Sequence, residues 1–150
     1  MTQRLDYRAI APDGVKAFYG VSAYLARCGL PKILIDLVFV RTSQINGCAH
    51  CIDLHSHDLL KEGLSVDKLL LVPVWREAGP LFDERERAAL LLAESVTNVS
   101  TTGIPDADFE AAKRVFSDKE LTDLFIAIAI MNAYNRIGVG FRAPPGALTR

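Results

Sequence analysis

Apolar residues recur along this chain at spacings of three and four, the period of helices that bury one side. Pro12 stands where the first turn of a helix tolerates it, and the pattern "DGVKAFYGVSAYLARC" continues to a stop at Gly29. A second helix starts near Pro31 and runs through "KILIDLVFVRTSQ". A third covers Cys48 to Glu62, with Gly63 as its C-terminal stop. "SVDKLLLVPVW" reads as a short helix broken at Pro73. Asp83 with Glu86, and Ser117 with Glu120, have the spacing of capping boxes and open two more helices; the Asp version is the weaker signal. Pro105 leads another in "PDADFEAAKRVF". No turn joins two alternating runs as in a β-hairpin. Asn46-Gly47 falls between two helical patterns and predicts a helix-to-helix junction, with Gly47 free to turn the backbone.

The stretch "LFIAIAIMNAYNRIGVGF" is the most apolar, but Asn132, Asn135 and Arg136 interrupt it. It predicts a buried core helix rather than a membrane span. "FRAPPGALTR" reads as a non-helical tail. The expected fold is therefore all-α, a single-domain helical bundle over residues 1–150, without repeats or linkers.

Composition sharpens this picture. The 150 residues are half hydrophobic, enough for a substantial core without metal or disulfide staples. The 17 basic and 18 acidic residues nearly balance, and no basic run occurs, so nucleic acid is not an expected partner. The first twenty residues lack the apolar run of a signal peptide. The expected location is cytoplasmic, where thiols stay reduced and a close cysteine pair points to redox or metal chemistry.

All three histidines and two of the three cysteines lie between Cys48 and His57. With Cys48 at a helix start, Cys48, Cys51 and His55 fall within roughly one sixth of the helix circumference. His50 and His57 fall together on the far side. A helix N-terminus lowers a thiol pKa, and Cys-x-x-Cys lets one sulfur attack and the other resolve. A histidine one turn on can move protons. No bound cofactor is needed for this chemistry.

Competing readings of the same residues are concrete. The cysteines as buried small hydrophobes fit poorly beside a histidine on the same face. Zinc is the sharper rival: Cys48, Cys51 and His55 supply three ligands, and a fourth must come from elsewhere. His50 and His57 read by default as solvated, with a place at an interface as the alternative, and Cys28 as a packed core thiol. Asp36 stands in the apolar "KILIDLVFV" and needs a partner. Lys32 or Arg41 is the plainer choice, and a role facing the cysteines the functional one. Trp75 beside Pro73 covers either core or a subunit boundary.

The run "SQINGCAHCIDLHSHDLLKEG", residues 43–63, resembles the core motif of the alkylhydroperoxidase D and carboxymuconolactone decarboxylase superfamily. "VPVWREAGPLFDERERAALLLAESVT" and "LTDLFIAIAIMNAYNRIGVGFRAPPG" support the resemblance, which spans roughly residues 12–145. It implies an all-helical fold assembled as a homo-oligomer (dimer, trimer or hexamer). It also implies reduction of a hydroperoxide substrate by a thiol pair that an external dithiol, or a dithiol-carrying protein, recharges. By that resemblance Cys51 is the attacking sulfur, Cys48 the resolving one and His55 the relay base. His50 matches the family histidine before the second cysteine. The family's relay glutamate, twelve residues before the first cysteine, is here Asp36, one methylene shorter. The helix dipole by itself favours Cys48 as the more acidic thiol, whereas His55 is spaced to deprotonate Cys51.

Three functions follow as expectations. The first is a thiol peroxidase or disulfide reductase using Cys51, Cys48, His55 and Asp36. The second is a redox-sensing or zinc-holding helical oligomer. The third is a lactone decarboxylase-like enzyme indifferent to its thiols.

Overall fold

A computed structural model describes residues 2–148. Among them the chain forms nine α-helices and no strand. They are α1 (Tyr7–Ile10), α2 (Pro12–Leu25), α3 (Lys32–Asn46), α4 (Ala49–Lys61), α5 (Val66–Leu71), α6 (Glu84–Thr97), α7 (Val99–Thr102), α8 (Asp106–Lys113) and α9 (Asp118–Phe141). The all-α bundle expected from periodicity is the fold observed.

The signals at helix ends act as their chemistry requires. Both capping boxes close fully: Asp83 and Ser117 each accept a backbone N–H, and Glu86 and Glu120 each accept one back. The Asp-led box, the weaker signal in the sequence, is as complete as the other. Gly47 takes a left-handed φ of 68° and turns the chain from α3 into α4. α5 ends at Leu71, and Pro73 sits in a 3₁₀ turn, Val72–Val74.

Some boundaries differ from the periodic reading. α2 stops at Leu25, short of Gly29, because the chain must turn back toward Pro31 and Gly29 takes φ 103° to do so. α1 and α7 are single turns too short to leave a periodic signature; Asp6 caps α1 by accepting from the N–H groups of Arg8 and Ala9. The expected tail contains a 3₁₀ turn at Gly146–Leu148, and its last two positions, 149 and 150, lie outside the described residues.

α3 is the hub. It packs against α4, α6 and α9 together. Residues 34–40 are buried without interruption, as expected of a helix covered on all sides. α9 is long and apolar enough to cross a membrane. In this fold it lies against α2, α3, α4, α6 and α8. Its interrupting asparagines are the reason it fits: Asn135 donates to Ser43 Oγ at 2.9 Å, and Asn46 donates to both Asn132 and Asn135 at 3.0 Å. This polar knot pins the C-terminal end of α3 to α9, directly before Cys48. Arg136 folds back on the Asn132 side chain and carbonyl. Trp75 is buried within the chain, its indole N–H donating to Glu94 at 2.9 Å. Cys28 is half-buried against the core rather than enclosed in it.

Asn135→Ala should destabilise the fold by about 2–3 kcal/mol, since it leaves Ser43 without its donor inside a packed helix pair. Chemical denaturation of wild type and variant measures the difference.

Candidate active site

Cys48 is the N-cap of α4, and its sulfur accepts the Cys51 N–H at 3.4 Å. One turn of helix brings the two Cα atoms to 5.4 Å, and the sulfurs are joined as a disulfide. Both residues are buried. Cys51 lines a cavity of about 550 Å³ bounded by α1, α2, α3, α4 and α9. Cys48 does not line it and sits behind Cys51 against α9.

α9 makes room for that position at Gly138. A Cβ there would stand 3.0 Å from Cys48 Sγ and 3.7 Å from Cys51 Sγ. The residue was not singled out from sequence. Its signal is a glycine inside a helical pattern, which costs helix stability and so implies a close approach.

His55 lines the same cavity as Cys51 and stacks edge-on against Phe39, with centroids 4.8 Å apart. Its Nδ1 is buried and faces Asp36 Oδ1 at 3.3 Å, a charge contact without the alignment of a full hydrogen bond. That leaves Nε2 as the nitrogen not engaged by the carboxylate. Asp36 is only 5% exposed. Its other oxygen accepts from Lys32 Nζ at 2.6 Å. The two readings of Asp36 from sequence thus coexist: it pairs with Lys32 and also holds the histidine of the thiol face. Arg41, the other suggested partner, goes to Glu94 at 2.7 Å instead. Burial opposes ionisation of Asp36. The close contacts from His55 and Lys32 overcome that opposition and hold the carboxyl below its ordinary value of 3.8.

His50 departs from its default reading as a solvated residue. It also lines the cavity. Its Nδ1 stands 2.7 Å from the Pro144 carbonyl oxygen, so Nδ1 carries the proton and donates. Nε2 then accepts from Arg8 at 3.5 Å. His57 separates from it and turns back onto its own helix, donating to the Asp53 carbonyl at 2.9 Å. Asn132 and Arg136 do not line the cavity.

The zinc reading joined Cys48, Cys51 and His55. Among the described residues, Asp36, His55 and Asp58 form a ligand-type group, with ligand atoms within 4.8 Å of one another. The Lys32 ammonium already stands on Asp36, where a cation would bind. The remaining cavity wall is mostly aromatic and aliphatic, including Tyr7, Phe18, Leu54, Ile137 and Phe141. Ser22 and Tyr134 share a hydrogen bond of 2.9 Å within it.

Known proteins share this family and fold. The family model "Carboxymuconolactone decarboxylase family" matches residues 12–95. The uncharacterized protein YdfG of Bacillus subtilis (strain 168) is 31% identical over 139 residues, covering 93% of this chain and 94% of that protein. Among solved structures, ATU0492 from Agrobacterium tumefaciens, a protein of unknown function whose suggested role is antioxidant defence as AhpD, superposes with a TM-score of 0.93. It is 39% identical, and the match covers 96% of this chain and 98% of that one. An uncharacterized peroxidase-related protein from Ralstonia eutropha JMP134, with an alkylhydroperoxidase AhpD core, gives 0.80 at 27% identity, over 92% of this chain and 73% of that one.

Two outcomes test this architecture. Gly138→Ala should cost about 1–3 kcal/mol, because Cys48 is fixed both as a cap and through its bond and cannot yield. Gly140→Ala meets nothing within 4 Å and should be neutral or gain up to about 1 kcal/mol. Thermal unfolding of the two variants separates them. For Asp36, a depressed folded pKa means that its stabilisation is complete above the unfolded value and is lost as pH falls through the folded one. The stability gap between wild type and Asp36→Asn should therefore be widest above pH 3.8 and shrink below it, as read from urea unfolding at stepped pH.

Proposed function

The chain belongs to the carboxymuconolactone decarboxylase family, within the superfamily that includes alkylhydroperoxidase D, and from that membership we propose that it is a thiol peroxidase reducing hydroperoxides through Cys51 and Cys48. The observation that carries the proposal is a bonded cysteine pair with only Cys51 on an apolar cavity, in a wall that it shares with a carboxylate-held histidine.

The two arguments about thiol acidity assign different tasks. Cys51 is the sulfur that substrate can reach, and His55 lies four residues on along the same helix. Asp36 orients the imidazole through Nδ1, so that Nε2 is the basic nitrogen. The Cys51 thiolate attacks the terminal oxygen of the hydroperoxide. The O–O bond breaks, an S–O bond forms, and the departing alkoxide takes a proton and leaves as an alcohol. Cys51 is then a sulfenic acid.

Cys48 is the resolving thiol. At the N-cap its thiolate is stabilised by the first N–H groups of α4 and by the helix dipole. It displaces hydroxide from the sulfenic sulfur, the hydroxide leaves as water, and the disulfide closes. An external dithiol attacks the accessible Cys51, Cys48 departs as the stabilised thiolate, and the dithiol is oxidised as both cysteines are reduced. The family likeness also supports assembly of several copies of the chain.

A lactone decarboxylase-like activity would leave the thiols idle and would survive Cys48→Ser combined with Cys51→Ser. The peroxidase reading requires the opposite. With a competent dithiol, Cys51→Ser should abolish hydroperoxide consumption. Without added dithiol, Cys48→Ser should consume one equivalent of hydroperoxide and stop at a sulfenic acid, seen as one added oxygen in the intact mass. His55→Gln should lower kcat by about 10²–10⁴-fold. Failure of the reduced wild-type protein to consume any hydroperoxide would overturn the proposal.

A further inference from the structure

The apolar cavity has a charged rim that peroxide chemistry does not require. Arg8 lines the cavity from α1 and is exposed at its outer edge. Its guanidinium rests beside the face of Tyr7, 5.4 Å from the ring centroid, and touches His50 Nε2. Among the described residues Arg8 has no carboxylate partner. Asp6, the acid nearest in sequence, is committed to capping α1 through the backbone. The Pro144 carbonyl holds His50 in the tautomer that accepts from Arg8, so the guanidinium is positioned while most of its N–H donors stay open. Among the described residues, no acidic side chain lines the cavity. An unpaired, oriented guanidinium at the mouth of an otherwise apolar chamber is complementary to a carboxylate on an apolar body.

We infer that the substrate is a hydroperoxide with an apolar, aromatic or branched body that also bears a carboxylate, and that Arg8 holds this carboxylate at the cavity rim while the peroxide reaches Cys51. The inference rests on the thiol peroxidase reading and adds to it a substrate class and a specificity residue. The redox balance is unchanged. The O–O bond is cleaved, the carboxylate passes through untouched, and the product is the corresponding hydroxy acid. His50 acts as a positioning residue for Arg8.

The test uses three probes: cumene hydroperoxide, its derivative with a para carboxylate, and the methyl ester of that derivative. They are turned over by the whole reduced protein with dithiothreitol as the dithiol. Because Arg8 is solvent-exposed, the expected preference is modest: kcat/KM for the acid about fivefold above the ester, shrinking as salt is raised. The acid-to-ester ratio should fall to about one in Arg8→Gln and be retained in Arg8→Lys. A ratio near one in wild type, or a ratio that Arg8→Gln does not move, overturns the inference.

A second measurement separates it from the reading beneath it. Calorimetric titration of the oxidised protein with 4-isopropylbenzoate and with its methyl ester has no peroxide to reduce. The acid should bind about fivefold tighter, and Arg8→Gln should erase the difference. That result, with no hydroperoxide consumed by the reduced protein, would leave the anion site standing and remove the peroxidase. Peroxide consumption with no discrimination in either assay would do the reverse.

Discussion

The arrangement depends on one buried charge. Asp36 lies inside the most apolar part of α3, where an isolated carboxylate would be strongly unfavourable. It is ionised there because Lys32, one turn earlier on the same helix, reaches it from the surface while His55 meets it from α4. Neither partner alone serves both ends. Lys32 supplies a charge that solvent still touches, and His55 supplies a contact at the cavity wall. The packing of α3 against α4 is therefore both hydrophobic and electrostatic, and it fixes the His55 ring at the cavity wall.

From that constraint the cysteines acquire unlike surroundings although they sit one turn apart. Cys48 has the helix end, the backing of α9 and no exposure. Cys51 has the cavity. The sequence presented a conflict between dipole and base as explanations of thiol acidity. The fold separates the two effects: Cys48 holds the helix terminus, while Cys51 shares the cavity wall with His55.

Much of this was legible in the order of residues. Strong periodicity, proline and glycine punctuation and two capping boxes gave the principal helices, because those signals act locally. The pairing of Asp36 was readable as a need but not as an answer, since the choice among Lys32, Arg41 and His55 is made by tertiary packing. Arg41 was drawn away by Glu94, which also accepts from Trp75 and Arg76. His50 was misplaced because a helical wheel describes one helix. Its cavity exists only where α1, α2 and α9 close over α4, and the Pro144 carbonyl that fixes its ring is far along the chain. Gly138 was hidden for the same reason, and the single-turn helices α1 and α7 carry too few residues to show a period.

The rim of the chamber belongs to a different energetic regime from its floor. α1 buries none of its residues, and the segment is tethered by the Arg4 N–H on the Phe141 carbonyl, the Arg4 side chain on the Gly140 carbonyl, and the stacking of Tyr7 on Phe141. Such a segment opens at a small fraction of the free energy needed to unfold the bundle. Parting this wall of the chamber from the bundle therefore breaks only those few contacts. The bundle beneath can grow more rigid, or more heat-resistant, without tightening that wall.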